Sequence, residues 1–256
     1  KCESKAGEIR LKLSEERGGE GGGDVARGYE ILTMTMDTSS LKSVRRFADD
    51  FVALVRREQR TGDAAVPTLD ILFLNAGTFY NPNATHPCVP LSDDGIEYVF
   101  ETNYLGHHLL YRLLEPLLMS QPNEGGIATV VQTSSASSFK SYTYNVATDL
   151  ETLNGCKESI VKGRANLSYG QSKLAQVVWV KALTKRLGPS ANVIANAFHP
   201  GFVDTKIFEK IENIPKWMER MIKYLARTAG WSPAEGALTG LFLGIETDRL
   251  FKDENC

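Results

Sequence analysis

Three short runs of this sequence are apolar at nearly every position, and they limit the folds that the chain can adopt. They lie within TLDILFLNAG (68–77), GIATVVQTSSAS (126–137) and NVIANAFHPG (192–201). A strand with one exposed face alternates apolar and polar residues, whereas a strand buried on both faces is apolar throughout. Strands of the second kind belong to parallel sheets that helices cover on both faces. The runs therefore predict an α/β protein.

Amphipathic segments alternate with these strands. The segment 41–58 has apolar residues at helical spacing and begins after a Ser39 or Ser40 cap. Further helices are predicted over 92–118, 168–187, 206–228 and 233–246, and another lies before residue 18. Pro116 is expected to kink or end the predicted helix over 92–118. GYEILTMTMD predicts a strand that ends at Asp37, and 136–165 is irregular. Four alternations of strand and helix predict a doubly wound, mostly parallel, Rossmann-like sheet in a single domain over 1–256.

The composition and charge exclude several classes of protein. The net charge of −2 provides no basic surface for nucleic acid. No run of 18 apolar residues exists, so the chain contains no predicted membrane span. The four cysteines are far apart, which argues against a disulfide framework or zinc site and fits a reducing compartment. His107 and His108 are adjacent, so they point to different helix faces and make a poor metal pair.

Small or polar residues follow each predicted strand, and ligands bind at this edge of a parallel sheet. A tyrosine and a lysine at the start of a helix are also candidates for chemistry. Tyr169 precedes Lys173 by four residues, so both side chains lie on one helical face. A neighbouring ammonium is expected to lower the pKa of a phenol from about 10. By itself, however, this spacing also fits a surface helix with an ordinary aromatic residue.

The motifs together resemble those of the short-chain dehydrogenase/reductase family. NAG, TNYLGHHLL, SYGQSKLAQ and HPGFVDT follow one another in the family's order. They are most similar to its retinol-dehydrogenase-like and WW-domain-oxidoreductase-like branch. The long segment between Ser135 and Tyr169, which contains DLETLNG, is also typical of that branch. The resemblance implies an NAD(P)-dependent oxidoreductase that interconverts a hydrophobic alcohol and its aldehyde or ketone.

The resemblance also implies catalytic roles for four residues. Tyr169 would be the general acid and base, and Lys173 would stabilise the phenolate and bind the nicotinamide ribose. Ser135 would donate a hydrogen bond to the substrate oxygen, with Ser134 as the alternative. Asn103 would hold a water of the proton relay; without the family it would be a helix cap or kink residue.

The cofactor is implied in the same way to be NAD or NADP, with NADP slightly preferred. Its implied ligands are Asp37, Asn75, Ala76, Gly77, Lys173, Pro200, Gly201 and Thr205. Asp37 would meet the adenine amino group, and Thr205 would bind the nicotinamide carboxamide. The small residues of 75–77 would let the backbone approach the cofactor closely.

One family motif is missing from this sequence. The family begins with a strand, a TGxxxGxG turn and a helix, whose N-terminus binds the cofactor's pyrophosphate. RGGEGGGD (17–24) follows a helical segment rather than a strand, so it is expected to be a connector. We therefore expect an N-terminally truncated fold, which also lacks the family's last strand, and weak or no binding of the nicotinamide cofactor. The alternative function is that of a truncated or degenerate, non-catalytic binding or scaffold protein.

Partners and location are bounded only by the resemblance. The expected partner is a small lipophilic alcohol or carbonyl compound, and a homodimer is compatible with the family. The amphipathic segment 206–228 would be a lid or an interface. The expected location is the cytoplasm, or the cytosolic face of a membrane if an anchor precedes residue 1.

Overall fold

The computed structural model describes most of the chain between residues 31 and 246. The described residues are 31–58, 67–80, 89–120, 126–141, 146–155, 167–188, 191–203 and 230–246, with Trp217, Arg220, Tyr224 and Thr228. The chain divides into two compact units, Lys1–Met36 and Asp37–Cys256. The single domain over 1–256 stays a prediction.

The predicted strand that ends at Asp37 is wrong over its described part. Residues 31–37 contain neither strand nor helix. The side chains of Leu32 and Met34 are exposed instead of buried in a sheet. A strand needs a neighbouring strand for its backbone hydrogen bonds, and no strand pairs with these residues in the described parts of the chain. Alternation in the sequence is therefore not sufficient here to form a strand.

In the described parts of the chain, three parallel strands form the sheet. They are β1 (Ile71–Leu74), β2 (Ala128–Thr133) and β3 (Val193–Phe198), in the spatial order β1-β2-β3. Leu74 pairs with Gln132, and Thr133 pairs with Phe198, so the carboxyl ends of the three strands meet at one edge. The predicted α/β fold with a Rossmann-like parallel sheet is confirmed, and the residues after each strand gather at this edge.

The described helices are α1 (Leu41–Glu58), α2 (Tyr98–Phe100), α3 (Gly106–Met119), α4 (Ser137–Ser141), α5 (Leu150–Asn154), α6 (Leu167–Leu187) and α7 (Pro233–Ile245). The predicted helices at 41–58, 168–187 and 233–246 are confirmed. Pro116 does not end its helix, because α3 continues to Met119. The stretch predicted to be irregular contains α4 and α5. In the predicted helix 206–228, Trp217, Arg220, Tyr224 and Thr228 are helical; its other residues, and the predicted helix before residue 18, lie outside the described residues.

Helix α7 packs against one face of the sheet through glycines. Ser232 caps its N-terminus in a capping box with Glu235. The buried residues on its inner face are Gly236, Gly240 and Gly244. A Cβ atom at Gly240 would lie 2.7 Å from the Phe198 ring, so only glycine permits this close approach.

The other face of the sheet packs against α3 and α6. Leu72 and Leu74 of β1 are buried there, because side chains alternate between the two faces of a strand. A π-helical turn, Glu101–Leu105, joins α2 to α3. This turn contains the buried residue Asn103, and π-turns occur frequently at functional sites. None of the described helices is long and apolar enough to cross a bilayer.

Candidate active site

A cavity of about 770 Å³ opens at the carboxyl edge of the sheet. Loops that follow all three strands form its walls, together with the N-terminal turns of α6 and α7. Seven residues of the predicted site line it: Asn75, Gly77, Ser135, Tyr169, Lys173, Pro200 and Gly201. A cavity of this volume is in the range of small-molecule sites. The fold therefore brings together residues that are up to 126 positions apart, from Asn75 to Gly201.

Tyr169 and Lys173 lie one turn apart on α6, with both side chains directed into the cavity. The Lys173 Nζ atom is 5.5 Å from the centre of the Tyr169 ring and donates a hydrogen bond of 3.0 Å to the Thr133 carbonyl. Only 3% of Lys173 is exposed, and burial lowers its pKa to about 8. Because neutral pH lies below this pKa, the Lys173 ammonium is mostly charged there, and its hydrogen bond to the Thr133 carbonyl fixes its position.

The pKa of Tyr169 differs from the expectation. Burial raises this pKa, and a hydrogen bond with Ser135 acts in the opposite direction. The sequence predicted a lowered pKa because of Lys173, so that prediction is wrong for this geometry. Desolvation of the phenolate is the larger effect, since most of the ring is surrounded by protein. The Ser135 contact nevertheless links the phenol to the serine that was predicted to work with it.

The two neighbouring serines at the end of β2 have different contacts. Ser134 is buried, and its hydroxyl donates a hydrogen bond of 2.8 Å to the Lys173 backbone carbonyl. Ser135 lines the cavity, and its Oγ accepts a hydrogen bond of 3.2 Å from the Ser137 backbone N–H at the start of α4. Ser134 therefore anchors α6 to the strand, whereas the hydroxyl of Ser135 faces the cavity.

Asn103 lies behind the cavity rather than in its lining. Its Oδ1 accepts a hydrogen bond from the Thr78 backbone N–H at 2.7 Å, and its Nδ2 donates to the Thr78 carbonyl at 3.0 Å. The same Nδ2 donates to Ser172 Oγ at 2.9 Å. The Asn103 carbonyl accepts a hydrogen bond of 2.6 Å from Gln176. The asparagine thus connects the loop after β1 to α6, and its role in holding a water stays a prediction.

Other predicted cofactor ligands lie outside this constellation. The Asp37 carboxylate accepts hydrogen bonds from the backbone N–H and the hydroxyl of Ser39, and it does not line the cavity. Ala76 is exposed and does not line it either. Thr205 lies outside the described residues. The roles of these three residues stay predictions.

Sequence reasoning missed several polar and aromatic residues of the site. Ser172, Gln176 and Gln132 are each fully buried, and Phe79 lines the cavity. The signal for the first two was available in principle, because Ser172 and Gln176 are four residues apart on one helical face, and polar residues on a buried face are unusual. Nothing local marks Phe79, because its neighbours come from α6, far along the chain.

His107 is part of the buried layer beneath the site. Its Nδ1 lies 3.4 Å from the Gln132 amide nitrogen, and Gln132 also donates to the Leu74 carbonyl. Burial and the charge of Lys173 lower the pKa of His107 to about 4, so the ring is neutral at physiological pH. The described parts of the chain contain no cluster of three or more His, Cys, Asp or Glu residues that could hold a metal ion.

Several known proteins are similar to this chain in sequence. No protein-family model matches the chain. Retinol dehydrogenase 14 of Mus musculus is 32% identical over 248 residues, which are 97% of this chain and 64% of that protein. The short-chain dehydrogenase TIC 32 A of Brassica napus is 36% identical over 180 residues, 70% of this chain and 49% of that protein. The chain therefore spans about half to just under two thirds of the length of these relatives.

Solved structures are similar in fold. A short-chain dehydrogenase/reductase from Burkholderia phymatum, in complex with NAD, superimposes with a TM-score of 0.53 and 19% identity, covering 85% of this chain and 69% of that one. The KRED1-Pglu enzyme superimposes with a TM-score of 0.50 and 17% identity, covering 81% and 71%. At these identities the similarity concerns the fold alone.

Proposed function

We propose that this chain interconverts a hydrophobic alcohol and its carbonyl product. The premise is that the chain belongs to the short-chain dehydrogenase/reductase family and to its retinol-dehydrogenase-like branch. The observation that carries the proposal is the meeting of Ser135, Tyr169 and Lys173 in one cavity. These residues come from a strand end and a helix that are separated in sequence. Their side chains supply a hydrogen-bond donor, a proton donor and a positive charge.

The proton chemistry follows from the positions of these side chains. Tyr169 would give its proton to the substrate oxygen when a carbonyl is reduced, and its phenolate would remove the hydroxyl proton when an alcohol is oxidised. Ser135 would donate a hydrogen bond to the same oxygen and stabilise negative charge on it. The Lys173 ammonium, 5.5 Å from the ring centre, would favour the phenolate during the exchange.

NAD or NADP is the cofactor that this site would hold, and Gly77 supports this by leaving space beside Lys173. A Cβ atom at Gly77 would lie 3.6 Å from Lys173 Nζ and 3.4 Å from Asn103 Oδ1, so the glycine keeps the space in front of the lysine open. Gly201, with a φ of 85°, makes the tight turn on the opposite wall. The nicotinamide ring, when bound, supplies the hydride acceptor or donor.

The walls of the cavity support a lipophilic substrate. Phe79, Phe198, Phe202, Val203 and Ala237 line it with apolar side chains. Retinol dehydrogenase 14 and polyprenol dehydrogenase of Mus musculus, the latter 32% identical over 61% of its length, are named for lipophilic alcohols. We therefore infer an apolar alcohol or aldehyde as the substrate class.

Turnover of defined aldehydes tests this function. The purified protein is incubated with NADH or NADPH and with retinal, decanal or glyceraldehyde, and oxidation of the reduced nicotinamide is followed by absorbance. With NADH or NADPH in large excess, to offset the weak cofactor binding expected without the TGxxxGxG turn, we expect turnover of the two apolar aldehydes and little turnover of glyceraldehyde. Tyr169→Phe should lower kcat about 100-fold or more, because general acid catalysis contributes at least that much. Tyr104→Phe, which removes a hydroxyl outside the cavity, is the matched control. Equal kcat values for the Tyr169→Phe variant and the unaltered protein would refute the proposal.

A further inference from the structure

Phe79 lies where it contacts the ring of Tyr169. The two ring centres are 5.5 Å apart, and the ring planes form an angle of 80°. This edge-to-face arrangement is favourable because the positive edge of one ring meets the negative face of the other. Phe79 also lines the cavity. The phenol of Tyr169 is therefore flanked by an aromatic ring that restricts its orientation.

The backbone that carries Phe79 is fixed by Asn103. The residue before Phe79 is Thr78, which is 7% exposed, and Asn103 is fully buried. The Asn103 amide binds both backbone groups of Thr78, at 2.7 Å and 3.0 Å. A primary amide can bind a peptide N–H and C=O at once, and such a pair resists movement in either direction. The position of Phe79 thus depends on a residue of the π-turn.

The same asparagine reaches Tyr169 by a second route. Its Nδ2 donates to Ser172 Oγ, and that hydroxyl donates at 2.7 Å to the Tyr169 backbone carbonyl. Gln176, one turn further along α6, donates to the Asn103 carbonyl and fixes the π-turn against the helix. Asn103 therefore holds Tyr169 from the backbone side through Ser172 and from the ring side through Thr78 and Phe79.

We propose that Phe79 is a positioning residue for Tyr169, and that Asn103 acts on Tyr169 partly by holding Phe79 through Thr78. This inference rests on the proposed function, in which Tyr169 transfers the proton. Loss of the Phe79 ring leaves the phenol with more orientations, of which only some place its oxygen against the substrate. A well-placed aromatic pair contributes enough to change a rate about 2- to 10-fold.

Two measurements test the role of Phe79. The first is kcat for decanal reduction, which should fall about 2- to 10-fold in Phe79→Ala and Phe79→Leu and stay within about 2-fold in Phe79→Tyr, which keeps the ring. The second is the absorbance titration of Tyr169, taken as the difference between each protein and its Tyr169→Phe counterpart. Because burial raises this pKa, Phe79→Ala should lower it towards about 10 by admitting water. Phe139→Ala, at a phenylalanine that is 80% exposed on α4, is the matched control and should change neither measurement.

A double-mutant cycle tests the connection to Asn103. If Asn103 acts partly through Phe79, the loss of kcat in the double variant Asn103→Ala/Phe79→Ala is smaller than the product of the two single losses. Losses that multiply would overturn that connection. Unchanged kcat in Phe79→Ala would overturn the positioning role, and an unchanged Tyr169 titration would overturn the shielding of the phenol by Phe79. If Phe79→Ala does not fold, Phe79→Leu gives the same kcat test.

These outcomes are distinguishable from failure of the proposed function. Absence of turnover by the unaltered protein, or full activity of Tyr169→Phe, would refute the proposed reaction. The Tyr169 titration needs no substrate, so it still decides whether Phe79 shields the phenol. An active protein that depends on Tyr169 but tolerates Phe79→Ala would refute the inference alone.

Discussion

Replacing Lys173 by methionine is expected to stabilise the chain at neutral pH while removing its proposed activity. Burial lowers the pKa of Lys173 from its ordinary value of 10.5 to about 8. That difference corresponds to about 3 kcal/mol of free energy, which the folded chain loses by holding a charged ammonium there. The variant also loses the 3.0 Å hydrogen bond from the ammonium to the Thr133 carbonyl, which contributes about 2 kcal/mol because the donor is charged. The net gain in the free energy of unfolding is about 1 kcal/mol at about pH 7.

The sign of this effect changes with pH in a defined way. Below about pH 8 the lysine is charged in both the folded and the unfolded chain, so the whole cost of burial is present. Between about pH 8 and 10.5 the folded chain releases the proton first, and the unfolded chain binds more protons. The stability of the unaltered protein therefore rises over this range. The advantage of Lys173→Met should disappear by about pH 10.

Urea denaturation at about pH 7 and about pH 10 measures the difference. A gain of about 1 kcal/mol raises the urea midpoint by about 0.3–0.5 M for a slope of about 2–3 kcal/mol/M. Lys181→Met, at an exposed position of the same helix, is the matched control and should show no gain of this kind. The reasoning is refuted if Lys173→Met is less stable than the unaltered protein at about pH 7. A gain that is equal at both pH values would refute it as well.

Two further substitutions test the packing and the buried charges. Gly240→Ala brings a Cβ atom to 2.7 Å from the Phe198 ring and should lower the free energy of unfolding by about 1–3 kcal/mol. The control Thr239→Ala, at an exposed position of the same helix, should have little effect. Equal thermal midpoints for Gly240→Ala and the unaltered protein would contradict the close packing. Burial raises the pKa of Glu97 from 4.5 to about 7. Between these two pH values the folded chain binds more protons than the unfolded chain, so the unaltered protein should lose stability as the pH rises through this range. Glu97→Gln should reduce this loss, as measured by denaturation at about pH 5 and pH 8, and an unchanged pH dependence would exclude Glu97 as its source.

The sequence predicts elements whose signals are local. β1 is apolar at each of its four positions, and β2 has a central apolar run and is buried at all but its last residue; such runs are visible without knowing the partners. The start of α7 is equally local, since Ser232 and Glu235 satisfy each other's backbone groups within one turn. The segment before Asp37 shows the limit of such signals. Its alternation is typical of a strand, yet a strand also needs a neighbour.

The contacts around Tyr169 could not be predicted from local pattern. Asn103 binds Thr78, which is 25 residues away, and Ser172, which is 69 residues away. A π-turn has the composition of an ordinary helix, so nothing in the sequence marks the point where the helix widens. The motifs identify Asn103 and Tyr169 from the sequence, but the connection from Asn103 to Phe79 depends on tertiary packing.

The glycines of α7 have a mechanical consequence. Gly236 faces Val203, which lines the cavity; Gly240 faces Phe198 at the end of β3; and Gly244 faces Phe73 on β1. Side chains from three separate segments fit against the helix at intervals of four residues, so it can neither rotate nor slide without a collision. Because these contacts connect β1 to Val203 in the cavity wall, a substitution that displaces Phe73 is expected to shift α7 and to change the space that the substrate would occupy.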